Sequence, residues 1–158
     1  MSIGDEVQLV TFSVGGQEFA FNVFDVERVL RYEDPTPLPG SPNYLEGTVR
    51  FGGDAVPIVD LRKRLDASAL VVEETRIVVM ELDQGRVGLV VDAVLEVMKV
   101  PADRVRPPSP IVQGLAAEYI TGIVSVAERT ILLLAASRLL NSKESLTLSA
   151  LTAELTDE

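Results

Sequence analysis

Cysteine and histidine are both absent from the 158 residues. The first absence excludes disulfides and thiol nucleophiles, and fits a reducing compartment. The second removes the side chain that acts as a base nearest neutral pH and the commonest metal ligand. No conventional catalytic triad can be assembled, and catalysis would be left to carboxylates or a lysine. Tryptophan is missing as well, and aromatic residues make up only 5% of the chain. Platforms for stacking bases are therefore scarce. Positive charge is in deficit: the net charge of −10 repels phosphate and argues against nonspecific nucleic-acid binding. No apolar run is long enough to span a bilayer. The opening Met-Ser-Ile-Gly-Asp-Glu has neither the basic nor the apolar region of a signal peptide. A cytoplasmic protein without nucleic acid, membrane insertion or bound metal is the expectation.

What is present is β-forming. Hydrophobic residues reach 47%, mostly Val, Leu and Ile, enough for a packed interior and suited to strands. Val7–Val14 and Gln17–Asn22 flank Gly15-Gly16, a hairpin signal. Val23–Arg31 reads as a short helix running into a strand. Tyr44–Phe51 and Asp54–Val59 flank Gly52-Gly53. Thr75–Leu82, Arg86–Val91 and Ala93–Val100 follow as strands, then Glu118–Val126 and Thr130–Leu134. Two proline-rich stretches, Pro35–Pro42 and Pro101–Gly114, read as connectors. Ala135–Asn141 turns helical, and Leu148, Leu151 and Leu155 have the spacing of an amphipathic C-terminal helix. Nine or ten short strands at regular spacing predict a mainly β fold of two small barrel-like lobes. The unit at 45–65 has a loose echo at 119–141.

Particular residues have local readings. Asp60 is placed to cap the helical start at Leu61–Leu65. Arg62, Lys63 and Arg64 read as a solvated helix face. Asp92, between two apolar strands, reads as a turn residue bonded to backbone. Val87, Leu89 and Val91 share one strand face, while Gly88 and Val90 share the other. Apolarity on both faces leaves two options open: a strand buried on both sides, or one side reserved for a partner.

Six ordered fragments carry a resemblance. They are Gly16-Gln-Glu-Phe-Ala-Phe-Asn-Val23, the run from Pro39 through Pro42 and Tyr44 to Gly47, Pro57-Ile-Val-Asp-Leu-Arg62, Val87-Gly-Leu-Val-Val-Asp-Ala-Val94, Tyr119-Ile-Thr-Gly122 and Leu139-Leu-Asn141. Together they resemble the CheW family of chemotaxis coupling proteins over about 8–142. The resemblance implies two SH3-like five-stranded barrels side by side, with short helices and a C-terminal helix. The first lobe is placed at roughly 30–72, the second at 8–29 plus 73–134, and the tail at 143–158. It implies no catalysis and no cofactor. It implies docking to two partners, the cytoplasmic tip of a chemoreceptor and the regulatory domain of a CheA-type histidine kinase.

By the same resemblance, Val26, Arg28, Gly47, Arg50 and Gly52 fall on the receptor-binding face. Val87, Leu89, Val91, Leu95 and Val97 fall on the strands that would meet the kinase. Two positions depart from the family pattern. Arg28 stands where the family usually has Glu, and Gly52 where it usually has Arg. The acidic residue usual in the last strand is absent from Leu134-Ala135-Ala136. A variant with one interface lost or rewired is the first competing reading; a small-ligand module or a carboxylate enzyme is the second.

Overall fold

Glycine pairs turn the chain back on itself where the sequence places them. In the computed structural model, which describes residues 5–65, 67, 70–82, 85–108, 118–140 and 144, Gly52 and Gly53 both have positive φ, 61° and 86°. A two-residue hairpin turn of this hand requires that. The strands are β1 (Glu6–Val14), β2 (Gln17–Asn22), β3 (Val26–Arg31), β4 (Leu45–Phe51) and β5 (Asp54–Asp60). After the single helical turn α1 (Leu61–Arg64) come β6 (Arg76–Leu82), β7 (Gly85–Val91), β8 (Ala93–Pro101), β9 (Val105–Arg106), β10 (Ile120–Val126) and β11 (Arg129–Leu134). The helix read into Val23–Arg31 is one 3-10 turn, Val23–Asp25, capped by the Asn22 side chain. That read at Ala135–Asn141 includes one 3-10 turn, Ala136–Arg138. The amphipathic C-terminal helix read at 143–158 lies outside the described residues apart from Glu144.

Two sheets form. The first lobe has the order β3-β6-β7-β5-β4, the second β8-β1-β2-β11-β10-β9. The lobe boundaries expected from the sequence need correction. The hairpin β6–β7 belongs to the first lobe: β6 pairs with β3, and β7 lies parallel to β5 with Ile58 opposite Gly88. The first lobe is thus continuous from β3 to β7. The chain crosses between lobes at Val23–Asp25 and again at Asp92. Strand β9 lies inside the second proline-rich connector, where two residues carry no periodic signal.

The echo between 45–65 and 119–141 is a true structural repeat. In both lobes a parallel strand pair joins two antiparallel hairpins, and Ile58 opposite Gly88 corresponds to Leu133 opposite Ala20. The register slips between Leu45 and Gly47 on β4, and between Ile120 and Gly122 on β10. Strand β3 carries Glu27 as an extra residue at its start, and β8 carries Leu95.

Three apolar clusters hold this together. Val49, Val56, Ile58, Ile77, Val79 and Val90 fill the first lobe. Leu9, Ala20, Val100, Val124 and Ile131 fill the second. The largest cluster lies between them, drawing Phe12 and Phe21 from one sheet and Val78, Met80, Val87, Leu89 and Val91 from the other. Phe12 and Phe21 are fully buried and stack at 4.9 Å. Burying each stabilises the fold by about 1.5–3 kcal/mol.

Candidate interaction surfaces

The receptor-side residues inferred from the resemblance come from both edges of the first sheet. Strands β3 and β4 are farthest apart in strand order, yet the sheet curls and brings them together. Thr36, beyond β3, exchanges two backbone hydrogen bonds with Thr48 of β4, at 2.8 and 3.0 Å. Gly47 sits beside this bridge with φ of 143°, and a Cβ there would lie 2.4 Å from the Thr36 carbonyl oxygen. Gly47 is buried, so its role is to let the lobe close. Val26 is half-buried and packs on the central cluster.

Arg28, Arg50 and Gly52 are exposed. The Arg28 guanidinium lies 5.6 Å from the centroid of the Phe51 ring, and the Arg86 guanidinium, from β7, lies 5.3 Å from it. Arg86 is neutralised by Glu27 at 2.8 Å and Asp54 at 3.1 Å. Phe51 thus supports two cations, of which Arg86 has its carboxylates inside the lobe. Arg50 donates from Nη1 to the Gly53 carbonyl at 3.1 Å, which orients it along the turn. A Cβ on Gly52 would meet only Arg86 Nη1, at 3.9 Å, so space is available and only the positive φ resists a side chain. The result is a cationic rim around a bare turn. Phe51 and Arg86 were missed in the sequence because the ring and the ion pairs meet across separate strands.

The kinase-side residues divide into two groups. Val87, Leu89 and Val91 are 3%, 1% and 0% exposed and face the central cluster. The reading of these three as a partner surface is therefore corrected: one face of β7 fills the first lobe and the other is covered by the second lobe. Leu95 and Val97, on the edge strand β8, are 49% and 61% exposed. Phe24, at the crossover between lobes, is 87% exposed, and no period in the sequence distinguishes it from core.

The basic run at 62–64 is also not the solvated face expected. Arg62 is 1% exposed. It makes two bonds of 2.9 Å to the Asp60 carboxylate, one of 2.6 Å to the Leu70 carbonyl, and a longer 3.5 Å pair with Asp92. The Asp60 hydrogen bond outweighs the desolvation cost and raises the pKa of Arg62. Asp60 also caps α1 by accepting from the Arg62 amide, as the sequence suggests. Asp92 accepts from the Gly15 amide at 2.8 Å, tying this cluster to the β1–β2 turn of the second lobe. Among the described residues, no group of three or more acidic side chains is placed to hold a metal ion.

Comparison with known proteins agrees with this architecture. Residues 8–144 match the family model of the CheW-like domain. The chemotaxis protein CheW of Klebsiella aerogenes is 31% identical over 144 residues, covering 90% of this chain and 86% of that protein. Protein FrzA of Myxococcus xanthus is 31% identical over 140 residues, 87% of each chain. The crystal structure of the scaffolding protein TtCheW from Thermoanaerobacter tengcongensis superposes with a TM-score of 0.80 at 28% identity, covering 89% of this chain and 97% of that one.

Proposed function

The chain belongs to the CheW-like family, a family of chemotaxis adaptors, and on that premise we propose that it couples a chemoreceptor cytoplasmic tip to the regulatory domain of a CheA-type histidine kinase in the cytoplasm. The observation that carries this reading is the pairing of two lobes of equal register with unlike surfaces. The first presents the cationic rim of Arg28 and Arg50 around the bare Gly52 turn. The second presents the apolar pair Leu95 and Val97. One protein holding two partners raises the effective concentration of each for the other, which is all that coupling requires of an adaptor.

The receptor surface is of a cationic kind. Arg28 carries positive charge where the family usually places a carboxylate, so a matched receptor offers carboxylates opposite Arg28 and Arg50. The kinase surface is the β8 edge at Leu95 and Val97. Co-sedimentation with a receptor cytoplasmic fragment, with and without kinase, tests the function. Pelleting with the receptor and recruiting the kinase only when this protein is present is the expected result. Failure to bind either one ends the coupling reading.

A further inference from the structure

At the junction of the lobes lies a cleft of about 420 Å³, bordered by Tyr44 and Tyr119, which are equivalent residues in the structural repeat. Between them sits Arg64 of α1. Its guanidinium stacks 5.3 Å from the centroid of the Tyr44 ring. Its Nη2 pairs with the Glu144 carboxylate at 2.6 Å, and the Tyr44 hydroxyl donates to the Glu144 carbonyl at 3.4 Å. Burial works against the charge on Arg64, but hydrogen bonds with Glu144 and Tyr119 more than offset it, so its pKa is raised.

The other charges in the cleft are satisfied nearby. Lys63 holds Glu46 at 2.8 Å, and Asp60 is bound by Arg62. Arg64 instead takes its carboxylate from a residue eighty positions along the chain. Moreover, its Nε is buried and has no hydrogen-bond partner among the described residues. A carboxylate engaging an arginine side-on uses Nε and one Nη together. Glu144 engages the Arg64 fork through Nη2, and Nε is left with capacity for a carboxylate oxygen.

We propose that this inter-lobe cleft is a binding site for the carboxylate of an acidic peptide segment, filled in cis by Glu144 and exchangeable with such a segment in trans. The Tyr44 ring sets the guanidinium in place by stacking, and Tyr119 lines the same cleft. The recognised unit is a Glu side chain together with its backbone carbonyl, since the Tyr44 hydroxyl reads the latter.

The test uses the full chain and a fluorescent peptide of residues 141–158. The variant Glu144→Gln, with its own latch weakened, should bind this peptide at least about tenfold more tightly than wild type does, the factor that a partly buried ion pair supplies. A peptide carrying Gln in place of Glu144 should lose that gain. Trypsin adds a second readout at the Lys143–Glu144 bond. Arg64→Gln should speed cleavage there roughly tenfold, while Lys63→Gln should leave it unchanged. If Glu144→Gln binds both peptides alike, or neither, the proposal is overturned. If Arg64→Gln cleaves at the rate of Lys63→Gln, it is overturned equally. Receptor and kinase binding are not used, so this result stands apart from the coupling assay.

Discussion

The two lobes repeat one backbone register but reverse its charges. In the first, Arg86 of β7 pairs with Asp54 at the start of β5; at the equivalent places in the second, Glu18 of β2 pairs with Arg129 at the start of β11. Each cluster has a third member near the bulge of an edge strand, Glu27 for Arg86 and Glu96 for Arg129. The same polarity reversal leaves Arg28 on β3 where β8 has Glu96. Where Asp60, Arg62 and Asp92 clasp the first lobe to its neighbour, the second lobe has Ala135, Ser137 and Phe24. Strand pairing depends on backbone bonds and on which face is apolar, so it survives these exchanges. Surface charge is under no such constraint. A duplicated fold can therefore hold its shape while its halves come to suit different partners.

Among the substitutions that compare equivalent positions of the two lobes, the largest effect should come from breaking the clasp that only one lobe has. Arg62→Met strands a buried carboxylate and should cost about 3–5 kcal/mol of stability, measured by urea denaturation. The equivalent Ser137→Ala, at an exposed site, should stay within about 0.5 kcal/mol. Equal losses at the two positions would mean that the clasp stabilises nothing beyond its local turn.

Glycine substitutions sharpen the same comparison. A Cβ on Gly47 meets a backbone carbonyl at positive φ, whereas one on the equivalent Gly122 lies 2.7 Å from a Val105 methyl group. A methyl can move and a bridged carbonyl cannot. Gly47→Ala should cost about 3 kcal/mol, and Gly122→Ala about 1–2 kcal/mol. The denaturation midpoints of the pair decide it, and a reversed order would put the essential closure in the second lobe.

Binding separates β7 from β8. Val97→Glu should leave the fold intact and weaken kinase-domain binding by about 2 kcal/mol, roughly thirtyfold in Kd. Leu89→Glu should unfold the protein, since it places a charge in the central cluster. Normal kinase affinity in Val97→Glu and in Leu95→Glu would move that interface off β8.

The smallest effect expected is at the cationic rim. Restoring the family pattern with Arg28→Glu and Gly52→Arg should improve binding to a family-typical receptor fragment by up to about tenfold and weaken binding to the native receptor by a similar factor. Unchanged affinity for both would show that the charge reversal at β3 is surface drift.

Most strands were readable because their signals are local. Paired glycines ended the runs at Val14 and Phe51, and alternating apolar residues between them left one register that buries a face. The family was readable for the same reason: Pro57–Arg62 and Val87–Val94 are short continuous segments. The candidate surfaces were less so. Arg62 sits in a run of three cations that looks like any solvated face; Asp60 is close in sequence, but the Leu70 carbonyl and Asp92 that complete its clasp are eight and thirty residues away. Val87 and Val97 are both apolar residues next to a charge, Arg86 and Glu96, yet only Val97 is exposed, because the central cluster covers β7 and nothing among the described residues covers that face of β8.

Composition and short-range pattern were enough to settle that this chain is a β protein without histidine or thiol chemistry and that its hairpins turn at glycines, and the resemblance of six ordered fragments pointed to the coupling adaptors. Those properties depend on each residue and its near neighbours. Tertiary structure decided the rest: that β6–β7 joins the first lobe, that β7 is covered on both faces, that Arg62 is a buried clasp, and that Arg28 and Phe51 meet across a curled sheet. Each depends on which distant segments come into contact. Burial and ion pairing are properties of that contact, and no residue carries them on its own.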